Sequence, residues 1–239
     1  MTCAVQPKGS AAAPADLVQR YSDAPDGVRV NMILSLDGAS TFAGLAGPLS
    51  NICDRNLLLG LRGYADVVLV GAGTARAEGY GPVRLTPSQR TERRERWGIT
   101  DIPPIAVVTR TGQLPEPLFA EPAQRPLLVT TAELARTRPD LRQRADLLLA
   151  GETDVDLRAA VERLNARGFH RILCEGGPVL LDQLIGADLV DEMCLTVSPT
   201  LAGEKSAVRH GAALRAPSRL ALRHSFTEGD YVYLRYCRA

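Results

Sequence analysis

Short apolar runs recur along the chain, and between them the apolar positions fall three and four residues apart. The first run, residues 28–36, is apolar on both parities in its second half, which predicts a strand buried on both faces and closed by Asp37-Gly38. Residues 66–71, 105–109, 127–130, 146–149, 170–174 and 192–198 repeat the strand pattern. Helices are predicted from a cap at Ser50 or Asn51 to about Gly63, over 132–138, over 154–167 and from Pro178 to about Gly186. In the first of these, Ile52, Leu57, Leu58 and Leu61 form the face expected to pack on a sheet. A short helix opening at Ala72-Gly73-Thr74 should end at Gly79. Two closing runs, 220–226 and 231–236, are joined by Glu228-Gly229-Asp230 and read as an antiparallel hairpin.

Strand–helix alternation with an antiparallel finish predicts an α/β fold, a mixed, mostly parallel sheet flanked by helices with a C-terminal antiparallel hairpin. One domain is expected over 28–239. Residues 1–27 are read as a lead-in, disordered at its Ala- and Pro-rich start, with a short helix or turn over 16–26 laid on the body. The arginine-rich stretch 81–104 reads as an exposed, solvated excursion.

Ligands of open α/β sheets sit outside the carboxyl ends of the strands. Four such ends carry Gly, Thr or acid here: Asp37-Gly38, Gly71-Ala72-Gly73-Thr74, Thr109-Arg110-Thr111 and Glu175-Gly176-Gly177. The last is the most informative, because an apolar strand ends in a carboxylate, a Gly pair follows, and Pro178 sits where a helix starts. Unpaired N–H groups at that helix start favour an anion such as a pyrophosphate. Gly71-Ala72-Gly73 has Arg76 in place of the third glycine of a dinucleotide fingerprint, so that motif is not met. Motifs for phosphate-cradling loops, serine nucleophiles and zinc hydrolases are also missing from the sequence. What remains is a crevice with backbone donors, two acids (Asp37, Glu175) and three bases (Arg62, Arg84, Arg110), suited to a phosphorylated ligand.

A formal charge of +1 over 239 residues gives no support for nucleic acid or a membrane surface as partner. Five scattered cysteines, none in a C-x-x-C pair, and three isolated histidines (His170, His210, His224) assemble no metal site. Without an apolar leader or spanning run, the expectation is a reduced, cytoplasmic protein.

Taken in order, Ser35-Leu36-Asp37-Gly38, Leu61-Arg62, Val70-Gly71-Ala72-Gly73-Thr74 and Glu175-Gly176-Gly177-Pro178, with Val190-Asp191-Glu192 behind, resemble the riboflavin-biosynthesis reductase domain. That family has a dihydrofolate-reductase-like fold, and the resemblance spans residues 28–236. It implies NADPH-dependent reduction of 5-amino-6-(5-phosphoribosylamino)uracil to the ribitylamino compound. Alternatives are reduction of another heterocycle such as dihydrofolate, or a nucleotide-binding module without catalysis. By resemblance Gly73 and Thr74 meet the cofactor phosphates with Glu78 close by, and Gly176, Gly177, Pro178, Val179 and Leu180 wrap the pyrophosphate and nicotinamide side. Ile33 backs the nicotinamide, and Arg110 and Thr111 take the 2′-phosphate. Arg62 and Arg84 hold the substrate's phosphate or carbonyls and Glu175 its N–H groups. For Arg62 the plain alternative is a helix C-terminal dipole partner, and for Arg84 a loop arginine. Asp37 orients the substrate, donates a proton, or bonds its own turn. A homodimer is expected, to cover the sheet edge. The sequence departs from the bifunctional members at Asn31, where many have lysine, in residues 44–49, which lack a substrate serine, and at Glu78-Gly79-Tyr80, which replaces acid-Asp-Pro. The zinc deaminase motifs of those members do not occur in the sequence.

Overall fold

A computed structural model describes residues 14–99, 101–204, 214 and 216–239. The disorder expected at the start of the lead-in falls largely on residues 1–13; these, Cys3 and His210 lie outside the described residues.

Seven parallel strands run through the body: β1 (Gly27–Leu34), β2 (Val67–Gly71), β3 (Ile105–Val108), β4 (Leu127–Thr130), β5 (Asp146–Leu149), β6 (Arg171–Cys174) and β7 (Glu192–Val197). The hairpin β8 (Leu220–Glu228) and β9 (Tyr231–Arg238) completes a nine-stranded sheet through an antiparallel β7–β9 pairing, in the order β5-β4-β3-β2-β6-β1-β7-β9-β8. The mixed, mostly parallel sheet read from the sequence is the sheet observed. Central strands such as β2, buried at Val67, Val68, Leu69 and Val70, are apolar on both parities because helices cover both faces.

One layer contains α1 (Pro14–Gln19), α2 (Ile52–Gly63), α3 (Ala72–Ala77) and α4 (Pro87–Trp97). Leu17 and Tyr21 join the core on this side, so the segment ahead of β1 is part of the packed body. The second core, on the opposite face, includes α7 (Leu157–Asn165) and α8 (Pro178–Gly186), while α5 (Ala132–Thr137) and α6 (Leu141–Arg144) pack near β4 and β5.

Two local expectations change. Ile52 is 68 % exposed instead of packed, because Asn51 caps α2 and puts its first residue outward. The buried face is Cys53, Leu57, Gly60 and Leu61, and Leu58 is half-buried. Within 81–104 the exposed excursion contains α4, opened by a capping box between Thr86 and Gln89 with Pro87 behind the cap, and closed by Gly98 in the left-handed region. Its Arg93 is buried and donates to the carbonyls of Gly63, Ala65 and Asp101, which fastens the excursion to the end of α2.

Val190-Asp191-Glu192 is a structural staple away from the strand carboxyl ends. Asp191 accepts from Val28 N–H at 2.8 Å, and the fully buried Glu192 pairs with Arg29 and, at 2.7 Å, with Arg235. Cys53, Cys174, Cys194 and Cys237 are buried free thiols. No helix among the described residues is long and apolar enough to cross a membrane.

Candidate active site

A cavity of about 720 Å³ opens at the carboxyl ends of β1, β2 and β6, roofed by the loop between β1 and α2. Asn31, Met32 and Ile33 of β1 form its floor, and Asn31 Oδ1 is buried there without a protein partner. One wall is glycine backbone. Gly71 N–H donates to Gly176 O at 2.8 Å, and Gly73, Thr74 and Gly177 border the space beside that contact. A Cβ on Gly177 would run into Thr74 Oγ1, so glycine here lets the starts of α3 and α8 sit together with the Thr74 hydroxyl where it is. The first N–H groups of α8, at Val179 and Leu180, have no partner within the helix and favour negative charge. These features fit a pyrophosphate, and the cavity is large enough for the ring that accompanies it.

The opposite wall is polar, with Ser40, Thr41, Ser50, Asp54 and Arg55 beside Arg62, Tyr80 and Glu175. Arg62, in the last turn of α2, makes a two-pronged contact to Glu175, Nε to Oε1 at 2.7 Å and Nη2 to Oε2 at 2.8 Å. Tyr80 donates its hydroxyl to Oε2 at 2.6 Å. Burial pulls the Arg62 guanidinium down, but the Glu175 carboxylate more than reverses this and holds it above its ordinary value. Burial, then the same carboxylate, keeps the Tyr80 phenol well above its usual range, so it stays a donor. The sequence reading had Glu175 and Arg62 facing a ligand separately. The structure pairs them with each other, which leaves little of the guanidinium for a phosphate.

Asp54 was not anticipated. Asn51 Oδ1 accepts Asp54 N–H at 2.8 Å, and this cap turns the Asp54 side chain inward, where Ser50 Oγ donates to Oδ2 at 2.6 Å. The residue is 8 % exposed, and burial pushes its carboxyl above the ordinary value despite the Ser50 hydrogen bond. A buried carboxyl with a raised pKa at the edge of a cavity is suited to giving up a proton.

The remaining candidates divide. Ile33, Gly73, Thr74, Glu78, Gly177, Pro178 and Val179 border the cavity. Glu78 also accepts from Ala46 N–H at 2.7 Å and so ties the roof loop to the end of α3. Gly176 lies behind, holding Gly71, and the Leu180 side chain is buried in the core, which leaves only its backbone for a ligand. Arg110 and Thr111 are exposed beyond the cavity at the end of β3, and Arg110 pairs with Asp154 at 2.8 Å. Arg84 is exposed and does not border the cavity.

Asp37 does not border it either. Its carboxylate accepts from Ser35 Oγ within its own turn and from the N–H groups of Ala202 and Gly203, at 3.0 and 2.7 Å, and so clasps another loop as well. These hydrogen bonds hold its pKa down to about 2, which removes it as a proton donor near neutral pH. A depressed folded-state pKa stabilises above the unfolded value of about 4, and the effect fades as pH falls through both values. The difference in melting temperature between wild type and Asp37→Asn should therefore be full at pH 7 and shrink from pH 4 toward pH 2. A difference that grows on acidification would contradict the clasp.

Among the described residues no cluster of His, Cys, Asp and Glu could hold a metal ion. Comparison with known proteins places this geometry. Over 216 residues the chain is 27 % identical to the 2,5-diamino-6-ribosylamino-4(3H)-pyrimidinone 5′-phosphate reductase of Methanothermobacter thermautotrophicus, covering 87 % of this chain and 96 % of that protein. The Archaeoglobus fulgidus protein of the same name is 28 % identical over 219 residues, covering 88 % and 98 %. A pyrimidine reductase-like protein from Corynebacterium diphtheriae superposes with a TM-score of 0.81 at 26 % identity, covering 95 % of this chain and 98 % of that one. The family model described as the RibD C-terminal domain matches residues 27–234, nearly the whole sheet and every wall of the cavity, and the chain belongs to that family.

Proposed function

We propose that this chain is the pyrimidine reductase of riboflavin biosynthesis, reducing the ribosylamino group of a phosphorylated aminopyrimidine with NADPH. The substrate is 5-amino-6-(5-phosphoribosylamino)uracil or its 2,5-diamino-4(3H)-pyrimidinone counterpart. The names of the two archaeal relatives favour the diamino compound. The observation that carries this reading is the two-sided cavity, with glycine backbone and helix N-termini on one wall and buried acid, hydroxyl and guanidinium groups on the other.

Gly73, Thr74, Gly177 and the first turn of α8 would hold the cofactor's pyrophosphate, and Ile33 would back its ring. Arg110 and Thr111 would take the 2′-phosphate; the Arg110–Asp154 pair is exposed on both sides, so a phosphate can displace the aspartate at little cost. When bound, the reduced nicotinamide supplies hydride to C1′ of the sugar. The chain's own residues prepare that carbon. Asp54 gives a proton to the ring oxygen as the C1′–oxygen bond breaks and the exocyclic nitrogen forms the C=N bond that accepts hydride. Ser50 holds the Asp54 carboxyl in place, and Asn31 on the cavity floor has a buried oxygen that lacks a protein partner. Arg62 remains a candidate for the substrate's carbonyls, and Arg84, exposed and outside the cavity lining, for its phosphate.

Following NADPH absorbance with the uracil substrate, the diaminopyrimidinone and dihydrofolate in parallel tests this reading. Turnover of either ribosylamino compound well above dihydrofolate supports it; NADPH binding without turnover of any of the three leaves a binding module. The protein is expected to work in the cytoplasm, and as a homodimer, since among the described residues no strand pairs with the outer edge of the nine-residue β8. A monomeric mass by light scattering would remove the dimer.

A further inference from the structure

Tyr80 lies on the polar wall and takes no part in the steps above. The chain reverses after α3 at Gly79, whose φ is 63°, and Tyr80 N–H returns to Ala75 O at 2.9 Å. That turn lays the ring on the core, with the Arg62 guanidinium 5.4 Å from its centroid, and aims the hydroxyl at Glu175. A carboxylate has about four acceptor positions. In Glu175, Oε1 accepts from Arg62 Nε, while Oε2 accepts from both Arg62 Nη2 and Tyr80 Oη. Oε2 is therefore full and Oε1 is half used. Glu175 is 7 % exposed and borders the cavity, so a ligand in the cavity is the natural source of a further donor.

Resting on the reductase reading, we propose that Tyr80 is a positioning residue that fills Oε2, so that Glu175 offers the bound pyrimidine a single open acceptor, at Oε1, for one N–H donor. The chemistry has a consequence for selectivity. A heterocycle with an amino or lactam N–H at that place completes the carboxylate, whereas one with an acceptor there sets two lone pairs against each other. Without the phenol, Oε2 would keep only Arg62 Nη2 and would also offer an open acceptor, so a donor in the wrong place would be tolerated.

Tyr80→Phe keeps the ring, its packing and its contact with Arg62, and removes only the hydroxyl. With the phosphoribosylaminopyrimidine that the wild type turns over, the KM of this variant is expected to rise about tenfold, the effect of one hydrogen bond to a charged group. Turnover should stay within about threefold and the KM for NADPH should not move. The Kd for the same pyrimidine, measured by calorimetry without cofactor, should rise in parallel. The decisive comparison is the same substitution in a Glu175→Gln background. If Tyr80 acts through Glu175, it then changes KM less than about twofold. An unchanged KM in Tyr80→Phe, or an equal rise in both backgrounds, would overturn the proposal and leave Tyr80 as packing. A wild type that turns over neither ribosylamino compound would sink the reductase reading first and this inference with it.

Discussion

Arg62→Ala should destabilise the protein by about 3–5 kcal/mol, the usual cost of removing one partner of a buried ion pair. The side chains of Arg62 and Glu175 are 14 % and 2 % exposed, so water cannot replace the lost guanidinium, and Tyr80 alone would face the stranded carboxylate. Chemical denaturation at constant slope measures the loss. Replacing both partners with apolar residues of similar size, Arg62→Met with Glu175→Leu, should recover most of the stability, because no buried charge remains. Activity should fall in the single variant and be lost in the double, since the double removes the acceptor along with its partner. A single-variant cost below about 1 kcal/mol, the level of an exposed pair, would mean that the two side chains are solvated in solution. The same pairing revises what Arg62→Ala does to substrate binding: the KM for phosphorylated and dephosphorylated substrate should rise together, because the guanidinium is held by Glu175 and not offered to a phosphate.

Asp54→Asn should lower turnover about 10²- to 10⁴-fold, the range expected for loss of a general acid, with little change in the KM for NADPH. The amide has nearly the same shape and can accept the Ser50 hydrogen bond, and the cap of α2 uses only the backbone of residue 54. The residue's protonation should also shape the pH profile. Arg55 beside it lowers the carboxyl and burial raises it. The Arg62–Glu175 pair stands on the same wall, Glu78 also borders the cavity, and Tyr233 faces the same cap through Asn51. In wild type the rate should fall as pH rises through the Asp54 titration, and in the variant that limb should vanish. A purely structural role would scale the whole profile without removing a limb. Turnover within about threefold of wild type would sink the acid assignment.

The parallel part of the sheet was legible because central strands such as β2 are buried on both faces and are followed by Gly, Asp, Thr or Glu. The glycine wall was legible for the same reason: Gly71, Gly73, Gly176 and Gly177 mark backbones that approach closely. The polar wall was not. Asp54, three residues after a cap, reads as an ordinary first-turn acid serving the helix dipole, and only the packing of α2 shows that it faces inward. Glu175 and Arg62 are 113 residues apart, and periodicity cannot show that they meet. Tyr80 had a visible signal, since Glu78-Gly79-Tyr80 stands where related enzymes carry acid-Asp-Pro, but its partner could not be read from the chain. The helix α4 was legible and passed over: Thr86-Pro87-Ser88-Gln89 is a capping box with proline behind the cap, and the density of arginines hid it.

The buried thiols have a practical meaning for anyone handling the protein. Cys174 is the last residue of β6, beside Glu175, and burial pushes its thiol up to about 12. In the native fold almost none of it is thiolate, the form that alkylating agents and oxidants attack. Maleimide incorporation mapped to Cys174 by mass spectrometry would thus be a clock for the opening of the central strand, running whether or not any catalytic assay has been found.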